Sequence, residues 1–115
     1  MRAMKSIEKN DPPVLRPAPP GSEKVFRVMA ARYMWWKTAD EALRYPQQTA
    51  AQVMNIGDWD DVQSLARVVG EDYLRAVIRT AEAGQFNARS WAYWHYRLHL
   101  AKVGTVPPLP ERKIA

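Results

Sequence analysis

His95 and His99 lie four residues apart, a spacing that would bring both imidazoles to one face of a helix and within reach of one metal ion. Zinc asks for three or four ligands, yet no Cys, Asp or Glu stands near the pair in sequence. No glutamate sits between them as in an HExxH helix. The two rings are therefore read as polar flanks beside tyrosines. The chain has no cysteine, which excludes disulfides and thiolate chemistry. It has no P-loop, no GxGxxG run and no Ser/His/Asp set. No metal, cofactor or small-molecule substrate is expected, and the chain is read as a non-enzyme.

Arg89 and His95 have an R-x₅-H spacing, within the range of the Arg/His pair of HEPN ribonucleases. In those enzymes the pair polarises a ribose 2′-hydroxyl and stabilises the scissile phosphate. Here Arg89 falls in the first turn of its helix, where a solvated side chain is the simpler reading. The helices are also too short for that fold.

A second kind of chemistry, recognition, is better represented. Lys24 to Lys37 holds four basic residues and no acid, and Ala83 to Pro110 holds Arg89, Arg97 and Lys102 and no acid. Four of the five tryptophans lie in these two stretches, while the acids gather between them, from Asp40 to Asp72. Positive charge combined with aromatic rings suits an acidic protein cleft or a nucleic acid. The net charge is +5. At 100° per residue, Trp91, Trp94, Leu98 and Ala101 share one helix face, and Tyr93, Tyr96 and Leu100 share the opposite one. Such a helix is either central to a core or half core and half interface. A domain this small offers little protein to bury both faces.

The elements that must position these groups are short helices. Five of the nine prolines fall between Pro12 and Pro20, and three more are Pro107, Pro108 and Pro110. The 115-residue chain thus divides into an arm over 1–24, disordered or ordered by a partner, a helical domain over 25–104 and an extended tail over 105–115. The arm has charges where a secretory signal needs an apolar run, and no stretch approaches the ~20 apolar residues of a membrane span. The protein is expected to be bacterial, cytoplasmic and monomeric.

Within the domain, Val25 to Lys37 fits a helix or an extended segment equally well. Thr38 with Glu41 has capping-box spacing. Pro46 ends that helix and starts the next, Gln47 to Ile56, which Gly57 closes. Asp58 caps a helix with the stripe Val62, Leu65, Ala66 and Val69. Gly70 separates it from Glu71 to Ala83, with Leu74, Val77, Ile78 and Ala81. The last helix runs from Asn87 to about Val103, with Phe86 and Trp91 at hydrophobic-staple spacing. The expected fold is all-α, a small bundle of four to five short helices. Its core is expected to contain Leu43, Val53, Ile56, Trp59, Val62, Leu65, Val69, Leu74, Val77, Ile78, Trp91, Trp94 and Leu98.

The two helices around Gly70 are helix-turn-helix-like. Arg75 and Arg79, one turn apart, could reach phosphates or bases there. Glu71 and Asp72 lead that helix and oppose DNA. Pro107 to Arg112 fits a PxxP ligand, and is read as a stiff, solvated tail near polyproline conformation.

Three segments carry a family resemblance: Tyr33-Met34-Trp35-Trp36; Gln52-Val53-Met54-Asn55-Ile56-Gly57-Asp58-Trp59-Asp60-Asp61-Val62; and Ser90-Trp91-Ala92-Tyr93-Trp94. From about Arg32 to Lys102 the chain resembles the small helical antitoxin-like proteins encoded beside nucleotidyltransferase toxins of the AbiEii type. The resemblance implies an antitoxin. It would neutralise such a toxin by direct binding over or near the cleft that holds Mg²⁺ and a nucleoside triphosphate. Basic and aromatic residues would suit that cleft by pairing with acidic metal ligands and filling a base-stacking slot. The contact residues are expected to be Arg32, Tyr33, Trp35, Trp36 and Lys37 in one stretch and Tyr93, Tyr96, Arg97 and Leu100 in the other. The alternative function is a helix-turn-helix-like autoregulator that binds operator DNA.

Overall fold

The computed structural model describes residues 17–111. Most of the proline-rich arm and the last four residues, including Arg112 of the PxxP segment, lie outside the described residues. Within them the chain is an all-α bundle of six helices: α1 (Glu23–Tyr33), α2 (Ala39–Arg44), α3 (Pro46–Ile56), α4 (Trp59–Val69), α5 (Glu71–Arg79) and α6 (Ala88–Arg97). That is one more helix than the sequence pattern had separated, because the segment before Thr38, left open above, is helical. Its Phe26, Met29 and Ala30 form a buried stripe at helical spacing. No helix among the described residues is long and apolar enough to cross a membrane.

Local chemistry sets most of the helix boundaries. The Thr38 hydroxyl accepts from the Glu41 backbone N–H at 3.1 Å, and the Glu41 carboxylate accepts from the Thr38 N–H at 2.9 Å. Pro46 occupies the first turn of α3, where its missing N–H costs nothing. The Asp58 carboxylate accepts from the Asp61 N–H at 2.8 Å and starts α4. Gly57 and Gly70 both stand at helix ends for different reasons. Gly70 has φ +85°, which side chains disfavour. Gly57 has an ordinary φ of −67°, but a Cβ there would meet the Val53 carbonyl oxygen at 2.5 Å.

Two helices stop earlier than their sequence pattern. Helix α5 ends at Arg79 rather than Ala83, and α6 ends at Arg97 rather than near Val103. The α6 terminus is a Schellman motif. His99 takes φ 59°, its N–H donates to Tyr96 O (3.2 Å), and the Leu100 N–H donates to His95 O (2.8 Å). A histidine thus occupies the position that usually selects glycine. Among non-glycine residues it is one of the few enriched there.

The core joins α1, α3, α4, α5 and α6 through Phe26, Met29, Val53, Leu65, Leu74, Val77 and Trp94. Most of the expected core is buried, and Leu43 packs against it half-buried. Two members are not in it. Ile56 and Trp59 are 54% and 64% exposed. Ile56 is the last residue of α3 and lies roughly 100° from the centre of its buried face at 100° per residue. Trp59 is the first residue of α4, and helical Cβ atoms tilt toward the N-terminus, so its ring projects past the helix end. Phe86 and Trp91 meet as the staple spacing requires, with ring centroids 5.7 Å apart.

Both flanks lie on the bundle. Ser22 is buried and its hydroxyl donates to Pro19 O at 2.6 Å. In the tail, Pro107 O accepts from Trp91 Nε1 at 2.8 Å, while Val106 and Leu109 pack against the core. The reading of a wholly solvated tail is corrected: apolar residues alternating with prolines give an extended segment something to bury. The tail and α6 border a groove of about 440 Å³ lined by Ile78, Trp91, His95 and Leu100.

Candidate functional site

The first turn of α4 is where the two aromatic, acid-free stretches meet. From the α1 side, Tyr33 donates its hydroxyl to Asp61 Oδ2 at 2.6 Å and accepts from the Asp58 backbone N–H at 3.2 Å. Arg32 pairs with the other Asp61 oxygen. From the α6 side, Arg97 donates to Gln63 Oε1 at 2.8 Å and its guanidinium lies 5.8 Å from the Trp59 ring centroid. Asp61 is buried, so both of its oxygens need these donors.

Burial, first, and then the Asp61 hydrogen bond hold the Tyr33 hydroxyl above its ordinary value of 10.0. A raised folded-state value means that the neutral phenol's contribution is whole below pH 10. It is lost as pH rises through the folded-state value. Tyr33→Phe is therefore expected to be less stable than wild type by about 1–2 kcal/mol near neutral pH. That gap should narrow above about pH 10, where a phenolate would face the Asp61 carboxylate. Thermal melts of both proteins across that range check it, and a gap independent of pH would refute it.

Around this clasp stand rings that the core leaves out. Trp35 and Trp36 occupy the turn between α1 and α2, 76% and 54% exposed, and pack edge to face at 5.5 Å. Their neighbour Met34 is buried against Ala30 and Ala42, which anchors the turn. Lys37 donates to Gln48 Oε1 at 2.9 Å. Tyr93 and Tyr96 are exposed on α6, while Trp91 and Trp94 on its other face are buried. The tyrosine face is the free one.

Leu100 does not belong with that group. It is half-buried, packs against the core and lines the groove beside Trp91. The 100° rotation that placed it with Tyr93 holds only inside a helix, and the chain reverses at His99. The residue missed is Trp59. It stands in the expected core, but its position directly after the Asp58 cap is the available sign that it projects outward.

The other candidate chemistries find different surroundings. His95 is buried with its Nδ1 2.7 Å from Trp91 O, and His99 is exposed beyond the end of α6. They share no helix face. Among the described residues there is no group of three or more His, Cys, Asp or Glu that could hold a metal. Arg89 is exposed at the start of α6. In the helix pair around Gly70, Arg75 is engaged with Glu71, Asp72 and the Leu98 carbonyl, which draws it away from any phosphate. Comparison with protein-family models, with curated proteins and with solved structures gave no match for this chain.

Proposed function

We propose that this chain is a binding protein that neutralises a nucleotidyltransferase toxin by docking over or near its active-site cleft. The observation that carries the reading is the exposure of Trp59, which with Tyr93 surrounds Arg97, together with the exposed Trp35 and Trp36 in the turn between α1 and α2. Large indoles left outside a core that already seats two others mark an interaction surface. Trp, Tyr and Arg are the residue types that dominate binding hot spots. The choice of a nucleotidyltransferase rests on the sequence resemblance at Tyr33–Trp36, Gln52–Val62 and Ser90–Trp94. The chain performs no chemistry of its own in this reading.

The test pairs the purified chain with the product of the neighbouring gene, which this reading requires to be a nucleotidyltransferase. Alone, the chain is expected to show no nucleotidyl transfer, nuclease or hydrolase turnover. Added at equimolar concentration, it is expected to abolish nucleotide transfer to RNA and to co-elute with the enzyme, without consuming triphosphate. Turnover by the chain alone, or undiminished transfer in its presence, would overturn the reading.

A further inference from the structure

We propose that Arg97 is the seat for a single carboxylate of the protein partner, with Trp59 and Tyr93 as its walls. This rests on the neutralisation reading and adds the chemistry of the docking group. Arg97 is half-buried in the last turn of α6. Its Nη2 donates to Gln63 Oε1 at 2.8 Å and its Nη1 to Tyr93 Oη at 3.1 Å. The guanidinium carbon lies 4.8 Å from the Trp94 ring centroid, 5.8 Å from that of Trp59 and 6.0 Å from that of Tyr93.

Both hydrogen-bond acceptors are neutral. Arg27, Arg32 and Arg75 each pair with an acid of this chain; Arg97, like Arg44, Arg67, Arg79 and Arg89, does not, but it is the one held among three aromatic rings. Among the described residues no carboxylate lies within ion-pair distance of Arg97. Its charge therefore has no ion-pair partner among the described residues, and of the five N–H groups a guanidinium carries, two are used. The rings hold the fork in place and strip water from its flanks, which strengthens a charge-assisted bond to an incoming anion.

That anion is a lone carboxylate rather than a polyphosphate backbone. Asp58 and Asp60 stand exposed on either side of Trp59. A nucleic acid would bring several phosphates against them, whereas an acidic side chain in an otherwise apolar patch brings one charge to one arginine.

The experiment uses the full chain and the nucleotidyltransferase that the neutralisation reading requires as the neighbouring gene's product, with affinity measured by calorimetry at two salt concentrations. Arg97→Gln is expected to weaken binding by about 30-fold or more, the scale of a hot spot, with a shallower salt dependence and a nearly unchanged melting temperature. Arg97→Lys keeps the charge but loses the planar fork, and should recover only part of the affinity. Arg97→Glu should abolish binding, and one Asp→Arg or Glu→Arg change on the enzyme should restore it. If Arg97→Gln does not fold, Arg97→Lys carries the test, and wild-type affinity in that variant overturns the seat. So does unimpaired binding by Arg97→Gln, failure of every charge reversal on the enzyme to rescue Arg97→Glu, or a loss confined to an RNA oligonucleotide or to self-association of this chain. A wild-type chain that does not bind the enzyme at all would sink the neutralisation reading; tight binding indifferent to Arg97 would sink the seat alone.

Discussion

Trp94→Ala is expected to lower the stability of the domain by about 3–5 kcal/mol, the usual cost of truncating a buried aromatic residue. The indole is 1% exposed, and its Nε1 donates to Met54 O at 2.8 Å across 40 residues of sequence. Met54 lies in the last turn of α3, where carbonyls have no intrahelical partner. Truncation therefore leaves a cavity and also an unsatisfied acceptor, and the two penalties add. A domain of this size has roughly 5–10 kcal/mol in total, so about a third or more of its stability should be lost. Trp94→Phe keeps most of the volume and loses the donor, and should cost about 1–2 kcal/mol. Urea unfolding of the three proteins measures this. A Trp94→Ala protein within about 0.5 kcal/mol of wild type would mean that α6 does not pack on α3 as described.

The opposite pattern is expected for Trp35→Ala and Trp59→Ala. Both rings lie mostly outside the core, so each change should leave stability within about 0.5 kcal/mol of wild type. Binding to the nucleotidyltransferase should weaken by at least ~2 kcal/mol for each. Trp35 lies in the turn between α1 and α2 and Trp59 opens α4, and the double variant should lose close to the sum if they act independently. Calorimetric titration against the enzyme, beside thermal melts of the free chain, separates the effects. Trp59 is the more decisive of the two, because it stands in the expected core and is exposed in the structure. A variant that melts far below wild type would restore that reading, and one that binds normally would move the contact surface away from α4.

Much of the bundle was legible in local chemistry. The Thr38 capping box, the Pro46 start, the Asp58 cap and the Phe86–Trp91 staple each depend on residues within a few positions of one another. The stripes Val62–Leu65–Val69 and Leu74–Val77–Ile78 are buried as their spacing implies. What was not legible depends on tertiary surroundings. The end of α6 was placed by the glycine at Gly104, whereas the chain turns at His99, a residue type that carries little turn signal. Phe26 and Met29 lie in a segment whose pattern fits helix and strand alike, so they were absent from the expected core. Of the candidate surface, the exposed Tyr93–Tyr96 face follows from rotation about one helix. Leu100 lies off that face because the helix has already ended. The meeting of Arg32, Tyr33 and Arg97 at the start of α4 requires Asp61 and Gln63, which look in sequence like ordinary helix-surface residues.

The way α4 begins bears on the speed and heat of association. First turns of helices usually fray, since their N–H groups lack partners. Here the Asp58 side chain, the Tyr33 hydroxyl and the Asp61 and Gln63 contacts tie that turn to α1 and to α6 at once. Trp59 and Arg97 are thus held before a partner arrives, and little backbone freedom remains to be lost on docking. Association through this edge should proceed as the meeting of two rigid bodies, with a rate governed by orientation and charge steering rather than by a folding step.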